Sequence, residues 1–520
     1  MSDSEGSHRV DHIVVAMFEN RSFDNLLGYL YRPGEVPAFE GVVGRNLSNP
    51  IPEYALLADR HQVPVHPTEK MGTPDPDPGE EYPHVNTQIY GGVTPEANRL
   101  KGSEEMEPPF NAPSDPRVPP TMDGFVADYI NTLQVTRGRP PRFDEYSQIM
   151  GCYTPAQLPV TSTLAKGFAC FDHWFCEVPS QTYANRSFFH AASSSGFVLN
   201  GPIGNFPLHN DAETIFERLE AAGVSWRVYF HPLQCVSATG LIHAPRLARY
   251  FATHFFSIDD FIVDAARGKL PAYAFIEPSL IPPHTDMHPP GDTRLRRLLS
   301  FLPKPTSVHG GESLFARIYE AIRTSASATG SNFENTLLLA TFDEHGGTYD
   351  HVPPPRVPPP DPKATAGQMG FRFDRSGVRV PTIAISAWID PRTVVNAEYR
   401  ATSVIRTLRE RWSLGPPLTG RDAVAADIAP LLTRSTPRPP AEWPRVAVPP
   451  LPRLGLLEAV FTPLPALGRD LFGAALSYES QKTGRATRLN LGRASHWRAR
   501  RYVRRLRSVS FVRAHTRSRR

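Results

Sequence analysis

The stretch Asn335-Thr336-Leu337-Leu338-Leu339-Ala340-Thr341-Phe342-Asp343-Glu344-His345-Gly346-Gly347-Thr348-Tyr349-Asp350-His351 decides the fold. Its first half is a continuous apolar run of strand length, the pattern of a strand covered on both faces. Asp343 and Glu344 therefore fall at the strand's C-terminal end. Gly346-Gly347 then breaks the strand and lets the backbone turn closely. Open α/β sheets bind their ligands at that edge. Two adjacent carboxylates, two nearby histidines and a Gly-Gly turn suit hard-cation or phosphate chemistry. A plain polar loop after a strand carries the same letters, so the rest of the chain has to decide.

A second run of this kind, His12-Ile13-Val14-Val15-Ala16-Met17-Phe18, ends in Glu19-Asn20-Arg21-Ser22-Phe23-Asp24. It again places an acid and an amide at a buried strand's end, with Ser22 or Asp24 able to cap a following helix. Glu19 and Asn20 offer oxygen ligands to a metal, or form no more than a capping turn. Spacing predicts helices over 123–130, 154–165, 214–223, 311–322 and 402–409, and strands over 224–230, 272–278 and 378–389. In the second helix Thr154 is the expected N-cap and Pro155 the first helical residue. This alternation implies an α/β fold with a parallel sheet. Residues 31–120 read as long Pro-, Gly- and Asp-rich loops that wall a site, with His84 among them.

Between these elements stands Ser180-Gln181-Thr182-Tyr183-Ala184-Asn185-Arg186, a hydroxyl three residues before an Asn-Arg pair at an expected helix start. Free N–H groups and a partial positive charge make a helix N-terminus a good phosphate holder. Thr182 becomes a nucleophile toward phosphorus if a metal lowers its pKa. The alternative is that Ser180 or Thr182 only caps the helix.

Composition narrows the class. With 520 residues, 40% hydrophobic and 21% charged, the chain is an ordinary globular protein with room for a large core. Its 55 prolines, about twice the usual share, point to long ordered loops. Residues 485–520 hold 13 Arg and no acid, so the net +4 conceals a body at −9 and a strongly basic tail. Such a tail suits anionic lipid or nucleic acid, or is simply solvated. Cys152, Cys170, Cys176 and Cys235 show no CxxC spacing, against a zinc site of that type; Cys170 and Cys176 read as small packed hydrophobes. Neither a signal-like h-region nor an apolar run of membrane-spanning length is visible. The chain therefore reads as cytoplasmic, or as secreted if an upstream leader precedes it.

Six motifs occur in one order: Glu19-Asn20-Arg21-Ser22-Phe23-Asp24, Met122-Asp123-Gly124-Phe125, Thr182-Tyr183-Ala184-Asn185-Arg186, Phe275-Ile276-Glu277-Pro278, His288-Pro289-Pro290 with Gly311-Glu312, and Asp343-Glu344-His345-Gly346-Gly347. In these the chain resembles the bacterial phosphoesterase family of non-haemolytic phospholipases C and acid phosphatases, within the alkaline-phosphatase-like superfamily. The resemblance implies a three-layer α/β/α sandwich with a mostly parallel sheet and long Pro-rich loops over residues 9–440. It leaves 441–520 as a Pro-rich, then Arg-rich extension. It implies one divalent metal cation, of unspecified identity, held by Glu19, Asn20, Asp343 and Glu344, with Thr182 as nucleophile. His84 and His288, and less directly His351, would neutralise phosphate oxygens or protonate the leaving group. The implied reaction is a two-step displacement through phospho-threonine, on a phospholipid or on a phosphomonoester. Some features depart from the family pattern. Ser180-Gln181 replaces a usual Gly-Pro and Ala184 a usual Pro, which should loosen the loop and leaves Ser180 as a second candidate hydroxyl. Residues 293–307 look like a basic insertion, and Ala401 stands where many relatives have His. The competing reading is a catalytically silent relative whose tail binds nucleic acid or anionic surfaces; the presence of Glu19, Asn20, Thr182, Asp343 and Glu344 together argues against it.

Overall fold

The computed structural model of the chain describes residues 9–56, 59–232, 234–282, 284–290, 307–450, 466–484, 489–491 and 495–506. Eight strands form the main sheet: β1 (His12–Phe18), β2 (Ala169–Phe171), β3 (Trp226–Phe230), β4 (Phe255–Ser257), β5 (Tyr273–Glu277), β6 (Thr336–Phe342), β7 (Thr382–Ile385) and β8 (Thr393–Val395). They lie in the order β8-β2-β7-β6-β1-β5-β3-β4. Within this sheet β7 alone runs antiparallel to its neighbours, β6 and β2; every other pairing is parallel. β1, β5, β6 and β7 are buried at almost every residue rather than at alternate ones. Strands of that kind need helices over both faces, and the result is the expected α/β/α sandwich.

The helices that bear on function are α1 (Phe23–Leu27), α2 (Tyr82–Tyr90), α3 (Phe125–Arg137), α4 (Pro159–Gly167), α5 (Thr182–Ala191), α6 (Ser307–Arg323), α7 (Thr402–Trp412), α8 (Ala466–Thr483) and α9 (His496–Val503). Ser22 caps α1 by accepting the Asn25 N–H. The helix expected from Thr154 starts later: α4 begins at Pro159 with Leu158 at its N-cap. Tyr153 instead ends a short strand, and the Thr154 N–H donates to Gln157 Oε1 at 3.1 Å, closing a turn. Leu158 has no capping oxygen. Glu312 of α6 supplies it, accepting from the N–H groups of Val160 (2.7 Å) and Thr161 (2.9 Å). A cap borrowed from 152 residues away leaves no local signature. His84, expected in a loop, sits in the first turn of α2 beside Pro83. All four cysteines are buried. The basic segment 293–307 lies outside the described residues apart from Ser307.

The C-terminal extension adds to the same core. Trp443 is buried edge-on to Phe168, with ring centroids 5.0 Å apart. The Tyr319 hydroxyl donates to the Pro444 carbonyl at 2.6 Å. α8 packs on the short helices Asn205–His209 and Ala238–Ile242, and buries Leu471, Phe472 and Ala475 completely. Among the described residues no helix is long and apolar enough to cross a membrane. If α8 is part of the core, Phe472→Ala should cost about 3–5 kcal/mol in denaturant-induced unfolding of the full chain. An unchanged midpoint would make α8 an appendage.

Candidate active site

Two strand ends build the floor of the site. Phe18 and Phe342 are register partners across β1 and β6, so Glu19 and Asp343 emerge side by side. The Asp343 N–H donates to the Phe18 carbonyl, and the Asn20 N–H points to Asp343 Oδ1 at 3.4 Å. Asn20 adopts a left-handed φ of 61°, a conformation asparagine tolerates, which swings its side chain out of the strand line. Beyond Glu344, Gly346 (φ 60°) and Gly347 (φ 64°) are also left-handed. A Cβ on Gly346 would lie 2.4 Å from the Asn20 carbonyl oxygen, and one on Gly347 would lie 2.5 Å from that of Gly79. The two glycines thus let the β1 end, the β6 end and the loop before α2 close on one point.

α5 forms the third wall. The expected loosening by Ser180-Gln181 and Ala184 is not what the structure shows. Asn185 Oδ1 accepts from the N–H groups of Glu177 and Val178, and its Nδ2 donates to the carbonyls of Val178, Ser180 and Gln181. Gln181 Oε1 accepts from the Asn200 N–H, and Asn200 Oδ1 accepts from the Tyr183 N–H at 2.9 Å. The Ser180 hydroxyl is committed to the Val198 carbonyl at 2.8 Å. Gln181 is the N-cap of α5, without a side-chain cap bond, so Thr182 does not cap its own helix. Thr182 Oγ1 is buried with no hydrogen-bond partner among the described residues. One turn on, the buried Arg186 guanidinium meets Glu19 Oε1 at 2.9 Å and Asp343 Oδ2 at 3.0 Å. Residues four apart share a helix face, so Thr182 is presented on the face that meets the strand ends.

Sequence reasoning missed part of this site. Glu80, in Asp77-Pro78-Gly79-Glu80-Glu81, accepts a short hydrogen bond from Asn20 Nδ2. Ligand atoms of Asp77, Glu80 and His288 all lie within 4.8 Å of one another. The available signal was a run of acids around Pro-Gly just before a helix, which is common in ordinary loops. His288 Nδ1 lies 2.7 Å from the Pro289 carbonyl, an acceptor only, so Nδ1 carries the proton. Its Nε2 faces Asp77 and Glu80 at 3.7 and 3.9 Å. Thr182, Glu19, Asn20 and Glu344 are fully buried, whereas side-chain exposure rises through His288 (9%) and Glu80 (12%) to Asp77 (21%). These three residues therefore line the side of the site nearest solvent. A cavity of about 990 Å³ lies elsewhere, along Phe188, Pro360 and Phe373, and touches none of the floor residues.

Of His84, His288 and His351, His288 lies beside this cluster, and His345 Nδ1 also lies 3.4 Å from Glu344 Oε2. His84 Nδ1 is held by Asp128 Oδ1 at 2.7 Å. His351 is bound by Asp24 and Glu40 in a network where Arg379 pairs with both Asp24 (3.0 Å) and Asp350 (2.9 Å). That network holds carboxylates and histidine in metal-like array, but its oxygens are already engaged by Arg379 and His351. His345 Nε2 lies 2.8 Å from Gln88 Oε1, and burial pushes its pKa down to about 3, so the ring is neutral.

The floor itself is electrostatically unfinished. Burial raises the pKa of Glu19, Asp343 and Glu344; neighbouring carboxylates add to this at Glu19 and Glu344, and Arg186 offsets part of it at Glu19 and Asp343. Glu80 is likewise raised, by burial and then by Glu344. Among the described residues, Glu19 Oε2, Asn20 Oδ1 and Glu344 Oε1 are buried without hydrogen bonds, while Glu19 Oε1 is ion-paired with Arg186. Orphaned hard oxygens and an excess of carboxylate over the single Arg186 fit a divalent cation.

His84 yields a pH prediction. Asp128 lifts its pKa from 6.5 to about 9, against the desolvation of the buried ring. The pair stabilises fully below about pH 6.5 and loses that contribution as pH rises through about 9. The stability gap between wild type and His84→Gln in urea unfolding should therefore shrink by about 3 kcal/mol from pH 6 to pH 10. A pH-independent gap would show that His84 is not charged in the fold.

Known proteins resemble this chain in sequence. The phosphoesterase family model matches residues 10–415. Non-specific phospholipase C3 of Arabidopsis thaliana is 31% identical over 460 residues, spanning 85% of this chain and 76% of the relative. Phospholipase C B of Mycobacterium tuberculosis is 29% identical over 341 residues, 58% of this chain and 61% of its own. Among solved structures, the phosphonate monoester hydrolase of Agrobacterium radiobacter overlays with a TM-score of 0.29 at 13% identity, covering 53% of this chain and 72% of that one.

Proposed function

The chain belongs to the phosphoesterase family, and from that premise we propose that it is a phospholipase C-type hydrolase working through a phospho-threonine at Thr182, with a divalent cation held by Glu19, Asn20, Asp343 and Glu344. The observation that carries this is the buried Thr182 hydroxyl, without a hydrogen-bond partner among the described residues and one helical turn from Arg186, which pairs with Glu19 and Asp343. Ser180, the alternative nucleophile, has its hydroxyl spent on Val198. Phospholipid is the substrate class favoured by the names of the relatives.

Thr182 Oγ1 attacks phosphorus, its proton leaves to a neighbouring carboxylate, and the bond from phosphorus to the diacylglycerol oxygen breaks. A divalent cation held by Glu19, Asn20, Asp343 and Glu344 would supply charge stabilisation for the reacting oxygens. His288, on the entry side, hands a proton to the departing oxygen. Water then attacks the phospho-threonine from that side, its proton passes to His288, and the phosphorylated headgroup leaves with Thr182 restored. Arg186 and Asn185 keep Thr182 in line through both steps.

The test is turnover of phosphatidylcholine and of p-nitrophenyl phosphate by wild type, Thr182→Ala and Ser180→Ala, with and without chelator. Thr182→Ala should lose more than about 10³-fold in kcat at unchanged melting temperature, and Ser180→Ala should lose far less. Chelation should abolish turnover and added divalent metal restore it. An active Thr182→Ala refutes the nucleophile, indifference to chelator refutes the cation, and preference for the monoester refutes phospholipase C.

A further inference from the structure

Helix α9 and the turn that follows it, residues 504–506, carry two faces of opposite character. Ala499, Val503 and Leu506, spaced four and three apart, are buried in the main core. This spacing is the apolar stripe of an amphipathic helix, and α9 rests on α8. The other face presents Trp497, Arg498, Arg501, Arg504 and Arg505, all exposed. Trp497 is 49% exposed, the one tryptophan among the exposed large apolar side chains of the described residues. Arg501, one turn on, stacks over it with its guanidinium carbon 5.2 Å from the ring centroid. No carboxylate pairs with Arg498, Arg501, Arg504 or Arg505 among the described residues. The flanking sequence repeats the charge, with 13 Arg and no acid over residues 485–520.

We propose that this face of α9 docks the enzyme on an anionic lipid bilayer, an inference that rests on the phospholipid reading of the active site. Four guanidiniums in register with lipid phosphates supply the attraction, and an amphipathic indole beside them seats at headgroup depth. A purely electrostatic partner such as duplex DNA would use the arginines and leave Trp497 idle. α9 is also well placed to serve the site. Asp470 of α8, on which α9 packs, hydrogen-bonds to Asn200, and Asn200 in turn accepts the N–H of Tyr183, the residue after the nucleophile. The docking helix is thus joined to the catalytic helix by a short chain of contacts.

The experiment is sedimentation of the full chain with vesicles of phosphatidylcholine alone and of phosphatidylcholine with one quarter phosphatidylglycerol, beside a duplex DNA titration. The variants are Trp497→Ala, the quadruple Arg498→Gln/Arg501→Gln/Arg504→Gln/Arg505→Gln, and the same four positions changed to Lys. Wild type should bind anionic vesicles much more tightly than neutral ones, and less tightly as salt rises. The Gln set should lose about tenfold or more, Trp497→Ala several-fold, and the Lys set little. Hydrolysis of soluble p-nitrophenylphosphorylcholine should be the same in all four proteins, which separates failed docking from a failed hydrolase assignment. The proposal is overturned if wild type ignores anionic vesicles, if the Gln set or Trp497→Ala binds them as wild type does, or if DNA binds more tightly than vesicles.

Discussion

Arg186 is the hinge on which the site depends. Its guanidinium, cut off from water, touches one carboxylate from the end of each central strand, Glu19 from β1 and Asp343 from β6. Burying three charges is costly, and such an arrangement contributes little net stability compared with a well-packed apolar substitute. What it supplies is position. Without Arg186 two buried carboxylates would face each other uncompensated, and α5 would lose this charged grip on the sheet edge. The five hydrogen bonds of Asn185 to residues 177–181 lock the same turn from its other side. Between them the two residues leave Thr182 little freedom to turn away.

A second buried network shows how the same residue types can serve structure instead. Asp24, Asp350 and His351 converge much as Asp77, Glu80 and His288 do. In the first group Arg379 pairs with both aspartates, also donates to the Asp172 and Glu40 carbonyls, and lies over the Phe23 ring. Among its described members no buried side-chain atom lacks a partner. On the floor formed by Glu19, Asn20 and Glu344, oxygens remain orphaned. Polar satisfaction, rather than residue identity, separates a cluster that ties loops together from one suited to a reacting group.

The strand ends were legible because the chemistry is contiguous with the element that positions it. An unbroken apolar run followed by Glu19-Asn20 or Asp343-Glu344 reports both a buried strand and what stands at its tip. Thr182 was legible for a similar reason, as the hydroxyl opening a helix that carries Asn185 and Arg186. Glu80 was hidden, since nothing local distinguishes it from Glu81; its place follows from Gly347 meeting Gly79 more than 260 residues along the chain. His84 drew attention as a histidine near the right place, yet helix α2 turns it toward Asp128. The start of α4 was misplaced because its cap comes from Glu312, and Thr154-Pro155 imitates a helix start that the Gln157 side chain closes into a turn. The antiparallel β7 was equally silent, because a short apolar strand carries no mark of its direction.

The pairing of β1 with β6 also governs how this protein comes into being. Residues 12–18 must wait for residues 336–342 before the centre of the sheet can close. Contacts this distant in sequence carry a large loop-closure cost and form late. During synthesis the N-terminal strand is exposed for most of the chain's emergence, with an apolar edge on each side awaiting partners. Such intermediates invite misassociation. A chain cut short before β6 therefore lacks Asp343 and Glu344, the Arg186 bridge between the two strand ends and the partner strand on one side of β1.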